Sequence, residues 1–79
     1  MEVTVALYAT LIRYNPAGSG NQPFNVLLPA GATVKDLLEH LGIGEGEAKQ
    51  YFIRHKSQPS DYQLEDGERV AIFPAIAGG

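Results

Sequence analysis

Val3, Val5 and Leu7 alternate with Glu2, Thr4, Ala6 and Tyr8. This period of two predicts a strand from about Val3 to Tyr8 with one strongly apolar face. Residues 9–14 keep no clear period and fit either an extension of that strand or a helical turn. Phe24, Val26 and Leu28 fall on one side of a second strand, which Pro29 and Gly31 end. Between the strands stand Asn15, Pro16, Gly18, Ser19, Gly20 and Pro23, a cluster of breakers that reads as a loop over 15–23. The two strands are expected to pair as an antiparallel hairpin.

The period then changes. Val34, Leu37, Leu38 and Leu41 make an apolar stripe at helical spacing, and Lys35, Asp36, Glu39 and His40 point away from it. Thr33 is a favourable N-cap, Gly42 a natural stop, and the charge of Asp36 suits the first turn. Asp36 is nevertheless not the Glu or Gln usual in a capping box. Residues 43–50 hold Gly44 and Gly46 among charged residues, and read as a loop with room for one helical turn. Residues 51–55 form a strand candidate, and 56–60, with Pro59, a loop. Residues 62–64 form a very short strand or a turn, and Asp66-Gly67 turns the chain. In the last strand, 69–73, Val70 and Ile72 share one face, and Arg69, Ala71 and Phe73 the other.

The order is strand, strand, helix, strand, short strand, strand. The first and last strands are suited to parallel pairing at the centre of a sheet, because a helical crossover separates them. The expected fold class is α+β, a small β-grasp with a mixed sheet packed on one main helix. Val70 and Ile72 would face Leu37 and Leu41, turning Ala71 and Phe73 to the outer face. Phe73 is then either an exposed docking anchor or folded back into the core rim. At 79 residues the chain forms one domain, 1–79, without room for a deep catalytic cleft.

The sequence has no cysteine, which excludes a disulfide scaffold, a thiolate nucleophile and a Cys-ligated metal. With no signal-peptide pattern and no membrane-spanning apolar run, it fits a cytoplasmic protein. The formal charge is -3 and the basic residues are spread along the chain, so neither a nucleic-acid footprint nor a membrane partner is expected. Such a domain could meet a basic partner surface. His40 and His55 lack further ligands and read as surface residues, so no metal site is expected. Ser19, Ser57 and Ser60 lie in loops without a nucleophile elbow. Glu39, Glu45 and Glu47 read as a solvated acidic face or as a partner's salt-bridge ligands, and the scattered Tyr8, Tyr14, Tyr51 and Tyr62 as structural or interface residues. A phosphate-cradling role for the glycine-rich loop is disfavoured, since the Lys-Ser/Thr end that meets phosphate is missing.

What remains is the C-terminal run Phe73-Pro74-Ala75-Ile76-Ala77-Gly78-Gly79. Pro74 lacks an amide donor and marks an exit from regular pairing. The tail 75–79 can span about 17 Å when extended, enough to enter another protein's active site. Gly78 and Gly79 would pass a channel too narrow for side chains. The Gly79 carboxylate is a poor electrophile, but ATP can convert it to an acyl-adenylate from which AMP leaves. A sulfur donor could then leave a thiocarboxylate, with the reactive residues supplied by partners.

Val3–Leu11, Gly31–Leu38 and Leu64–Gly79, the last with its Asp66-Gly67-Glu68-Arg69-Val70 turn and strand and terminal glycine pair, resemble the MoaD/ThiS family of ubiquitin-like sulfur carriers. The resemblance implies a ubiquitin-like β-grasp, adenylation of Gly79 by an E1-like enzyme that consumes ATP, no stably bound cofactor, and a C-terminal thiocarboxylate. It is nearest to the small subunit of molybdopterin synthase. That implies a sulfur donor protein and the large synthase subunit as partners, with Ala71, Phe73, Pro74, Ala75, Ile76 and Ala77 at the docking surface. The chain would be a co-substrate there, not catalytic alone. Ala75 stands where the family often has a second proline. Arg54-His55-Lys56-Ser57 replaces the family's usual turn, and the 15–23 loop is longer than its usual connection. These departures leave room for thiamine thiazole, tungsten cofactor or tRNA thiolation as the pathway. A protein-conjugating modifier and a non-catalytic binding module are the other classes.

Overall fold

The computed structural model describes residues 1–16, 18, 22–44 and 46–75. Strand β1 (Glu2–Leu7) and the last strand, β5 (Arg69–Pro74), lie side by side in parallel at the centre of the sheet, with Val5 opposite Val70 and Leu7 opposite Ile72. On the other side of β1, β2 (Phe24–Leu27) runs antiparallel with Val3 opposite Val26. On the other side of β5, β3 (Ala48–Ile53) runs antiparallel, followed by the edge strand β4 (Lys56–Gln58). The five-stranded order is β2-β1-β5-β3-β4. This is the mixed sheet of an α+β ubiquitin-like β-grasp, with one main helix, α1 (Val34–Leu41), as the crossover.

The alternation becomes burial. Val3, Val5, Leu7, Val26, Leu28, Ile53, Val70 and Ile72 form one core with Val34 and Leu37 of α1, and Leu38 and Leu41 pack half-buried against it. Residues Ala9–Tyr14 form a 3-10 helix, the second of the two readings left open, and it buries Leu11. The helix is capped at both ends. The Asp36 amide donates to Thr33 Oγ1 at 3.3 Å, and the Thr33 amide donates to Asp36 Oδ2 at 2.9 Å. Asp36 therefore completes the capping box despite its shorter side chain. Gly42 takes the left-handed conformation, φ 78°, and its amide reaches Glu39 and Leu38 carbonyls.

Three boundaries differ from expectation. β3 begins at Ala48, so residues 48–50 are strand rather than loop. Arg54 and His55 leave β3 and form a two-residue turn with φ 54° and 66°, the φ signature of a primed hairpin turn. Asn-Gly usually marks that turn, and its absence hid both the turn and β4, which had read as loop. Residues 62–64 form no sheet strand. They are held at the start of α1 instead: Val34 donates to the Tyr62 carbonyl, Leu64 donates to the Ala32 carbonyl, and Gln63 makes an isolated bridge with Thr33.

One buried acid had no signal in the sequence. Glu68 is 5% exposed and accepts from Tyr62 Oη at 2.8 Å and from the Glu65 amide at 2.8 Å. The hydrogen bond to Glu68, the largest cause, raises the Tyr62 pKa above its ordinary 10.0. The adjoining Asp66-Gly67 turn is bound to β1, since Asp66 Oδ1 accepts the Glu2 amide and the Gly67 amide reaches the Glu2 carbonyl. That bonding sets the parallel register.

Replacing Thr33 with Ala removes the acceptor for the Asp36 amide. It is expected to lower unfolding free energy by about 1 kcal/mol, read as a lower urea midpoint at unchanged slope.

Candidate functional site

Side chains that alternate away from the core compose the outer sheet face. Register sets them in rows: Thr4 beside Arg69, Ala6 beside Ala71, and Ala71 beside Phe52. Gln50 is opposite Phe73 in the next row. The Tyr8 and Phe73 rings stack with centroids 4.5 Å apart and planes 6° from parallel, and Phe52 meets Phe73 edge-on at 5.5 Å. The three rings form one aromatic ledge where β5 leaves the sheet.

Phe73 is thus neither a free anchor nor part of the core rim. It is half-buried on the outer face, held by two other rings. Ala71 is half-buried beside Ala6 in the floor below the ledge. Pro74 stands where regular pairing ends, as its missing amide leads one to expect. It is the last residue of β5 and lies opposite Ala48, where the β3 register shifts between Ala48 and Gln50. Bulges are among the few places in a sheet where proline is accommodated. Past it, the Ala75 amide donates to the Glu47 carbonyl at 3.4 Å. Ala75 is exposed, while Ile76, Ala77, Gly78 and Gly79 lie outside the described residues.

Glu47 also binds through its side chain. Its carboxylate accepts from Tyr14 Oη at 2.6 Å, from the Gly44 amide at 2.8 Å and from the Arg13 guanidinium. A Cβ on Gly44 would sit 2.8 Å from Glu47 Oε2, so a side chain there would push the carboxylate aside. The Tyr14 hydrogen bond, then that from Gly44, holds the Glu47 carboxyl below its ordinary 4.5. Glu47 is therefore an intramolecular clamp between the 3-10 helix and the root of the tail, not part of a solvated acidic face. His40 and His55 are exposed, and Glu45 lies outside the described residues. Among the described residues no group of three or more His, Asp or Glu side chains could hold a metal, and no helix is long and apolar enough to cross a membrane.

Residues 1–78 match the model of the family described as Mut7-C ubiquitin. The chain belongs to the Mut7-C ubiquitin family. This Mut7-C ubiquitin chain is also similar in structure to a Pyrococcus furiosus protein named as molybdopterin converting factor, subunit 1, with TM-score 0.72 and 25% identity over 96% of this chain and 99% of that one. The Haloferax volcanii small archaeal modifier protein 1 matches with TM-score 0.72 and 20% identity over 95% and 98% of the two chains. A second crystal structure of the Haloferax volcanii protein, under the name SAMP1, gives TM-score 0.72 and 19% identity over 100% of both chains. No curated protein sequence matches significantly. The motif resemblance to MoaD/ThiS carriers holds at the level of the β-grasp superfamily that these proteins share.

The outward facing of Ala71 and Phe73 was legible in the alternation of β5. Arg69 shares that face by the same alternation, whereas no local pattern marks Tyr8, Phe52 and Arg54 as their neighbours. Phe52 needs the β3 register to place it, and Glu47 needs the fold to bring Tyr14 and Arg13 to it.

Glu47→Ala is expected to speed hydrogen exchange at the Ala75 amide, with the core amides of Val5 and Val70 unchanged. Because the Glu47 pKa is depressed, its stabilising contribution is complete above 4.5 and is lost as pH falls through the depressed value. Wild-type protection at Ala75, corrected for intrinsic exchange, should fall in that acid range, and Glu47→Ala should show no such step.

Proposed function

We propose that this Mut7-C ubiquitin chain is a cytoplasmic acyl-carrying protein of the ubiquitin-like type, a sulfur carrier or protein modifier whose reactive group is the Gly79 carboxyl. The observation that carries the reading is the exit of β5. The central strand runs past the aromatic ledge, through Pro74 and the Ala75–Glu47 rung, toward the small residues Ala77, Gly78 and Gly79. A rigid sheet presents the root of a small-residue tail, and the ledge beside it is a surface on which an activating partner can dock.

The chemistry belongs to partners. An E1-like enzyme lets the Gly79 carboxylate attack the α-phosphate of ATP, releasing pyrophosphate and forming the acyl-adenylate. Attack at the acyl carbon then expels AMP. The persulfide of a sulfur donor protein gives an acyl disulfide, which a second thiol of that donor cleaves to the thiocarboxylate and a donor disulfide, whereas a lysine amine gives an isopeptide and a proton. Docking the folded domain holds the acyl group near its acceptor and raises its effective concentration. No cofactor is held by the chain in this scheme.

Protein modification takes support from the likeness to the small archaeal modifier protein 1 of Haloferax volcanii. A narrower reading, sulfur donation for molybdenum cofactor with the large subunit of molybdopterin synthase as partner, takes support from the Pyrococcus furiosus protein at 25% identity.

Native protein incubated with ATP, an E1-like enzyme and a sulfur donor is expected to exchange one carboxyl oxygen for sulfur by intact mass. That spectrum also establishes Gly79 as the final residue, which the chemistry requires. If the protein is a modifier, tryptic digestion should leave a Val70–Gly79 remnant on partner lysines, since Arg69 is the last basic residue. Removing Gly79 should abolish either product without lowering thermal stability. Formation of neither product, or unchanged transfer after the deletion, overturns the proposal.

A further inference from the structure

Below the aromatic ledge the outer face holds a shallow concavity of about 350 Å³. Ala6 and Ala71 form its floor, Tyr8 and Phe52 stand on the ledge side, and Arg54, His55 and Arg69 line the rest. The basic side chains occur here although the chain carries a formal charge of -3. Arg54 pairs with Glu65 at 3.7 Å and with Glu68 at 3.5 Å, and its side chain remains 73% exposed. Arg69 is exposed and makes no ion pair with any described residue.

We infer that this concavity docks a partner protein segment in which an apolar side chain lies beside Asp or Glu. The two alanines leave space that an apolar side chain of the partner can fill against the ring edges. A purely apolar partner would strip water from the Arg69 guanidinium without replacing it, which is costly. A basic partner would meet Arg69 with like charge. A carboxylate beside the apolar anchor satisfies both conditions and can accept from a guanidinium in bidentate fashion. Nucleic acid fits less well. Phe73 has one ring face on Tyr8 and a further contact from Phe52, which reduces the stacking platform, and the net charge opposes a polyanion. Whole-chain charge points to a basic partner surface, whereas this face selects the opposite sign.

The inference rests on the docking half of the carrier reading and not on chemistry at Gly79. Its test is therefore independent of activation. A displayed library of random short peptides is panned against the full chain and against Arg69→Glu. Wild type is expected to enrich sequences that place Asp or Glu beside Leu, Met or Phe. Synthetic versions should shift the backbone resonances of Ala6, Tyr8, Phe52, Arg69 and Ala71. Their affinity should fall about tenfold with Arg69→Ala, and severalfold between about 50 and 300 mM salt. Arg69→Glu should instead enrich Lys or Arg beside the apolar residue, a reversal that simple loss of folding could not produce. The inference is overturned by an absence of enrichment on wild type, by enriched sequences without acidic residues, by equal binding to Arg69→Glu, or by a single-stranded oligonucleotide that binds this face more tightly. A chain that selects acidic peptides but is never adenylated fails only the carrier chemistry. A chain that forms the thiocarboxylate but selects neutral peptides fails only this inference.

Discussion

The parallel pairing of β1 with β5 is the constraint on which the rest of the structure depends. Parallel neighbours cannot be joined by a tight turn, so the intervening chain must cross over the sheet. Here α1 makes that crossover and buries Val34 and Leu37 against Val5, Val70 and Ile72. The bonds from the Asp66-Gly67 turn to the start of β1 set the pairing register. The same register sends Ala6, Ala71 and Phe73 to the outer face. A one-residue slip would exchange Ala71 with Val70 and destroy the core and the outer face together.

Much of this was legible because it depends on local periodicity. Val3-Val5-Leu7 and Val70-Ile72 alternate without exception, and Val34-Leu37-Leu38-Leu41 keeps helical spacing between Thr33 and Gly42. The β3–β4 hairpin was obscure because a two-residue turn with both φ angles positive is built from Arg54 and His55, neither of them its usual residue. Pro74 was legible in its place: its missing amide argues for a strand end, and it is the last residue of β5, opposite the irregularity of the neighbouring strand at Ala48 and Gln50.

The polar residues show the same division. Glu47 and Glu68 look like ordinary surface acids in a mildly acidic sequence. Folding gives Glu68 a buried place beside Tyr62, and it ties Glu47 to residues more than thirty positions away. Net charge describes the electrostatic field at a distance, while docking answers to the few charges at one surface. Glu47 is engaged internally and Glu65 and Glu68 offset Arg54, so the outer face keeps the charge of Arg69 beside an apolar floor.

The rung between Ala75 and Glu47 has a mechanical consequence. It adds one more tethered position to the sheet. In the carrier scheme proposed above, the reach of the Gly79 carboxyl is then counted from residue 76, and four residues at full stretch cover at most about 14 Å. On that scheme an activating enzyme brings its nucleotide pocket almost to the end of the sheet or first peels Ala75 away, so that reach and docking become one requirement.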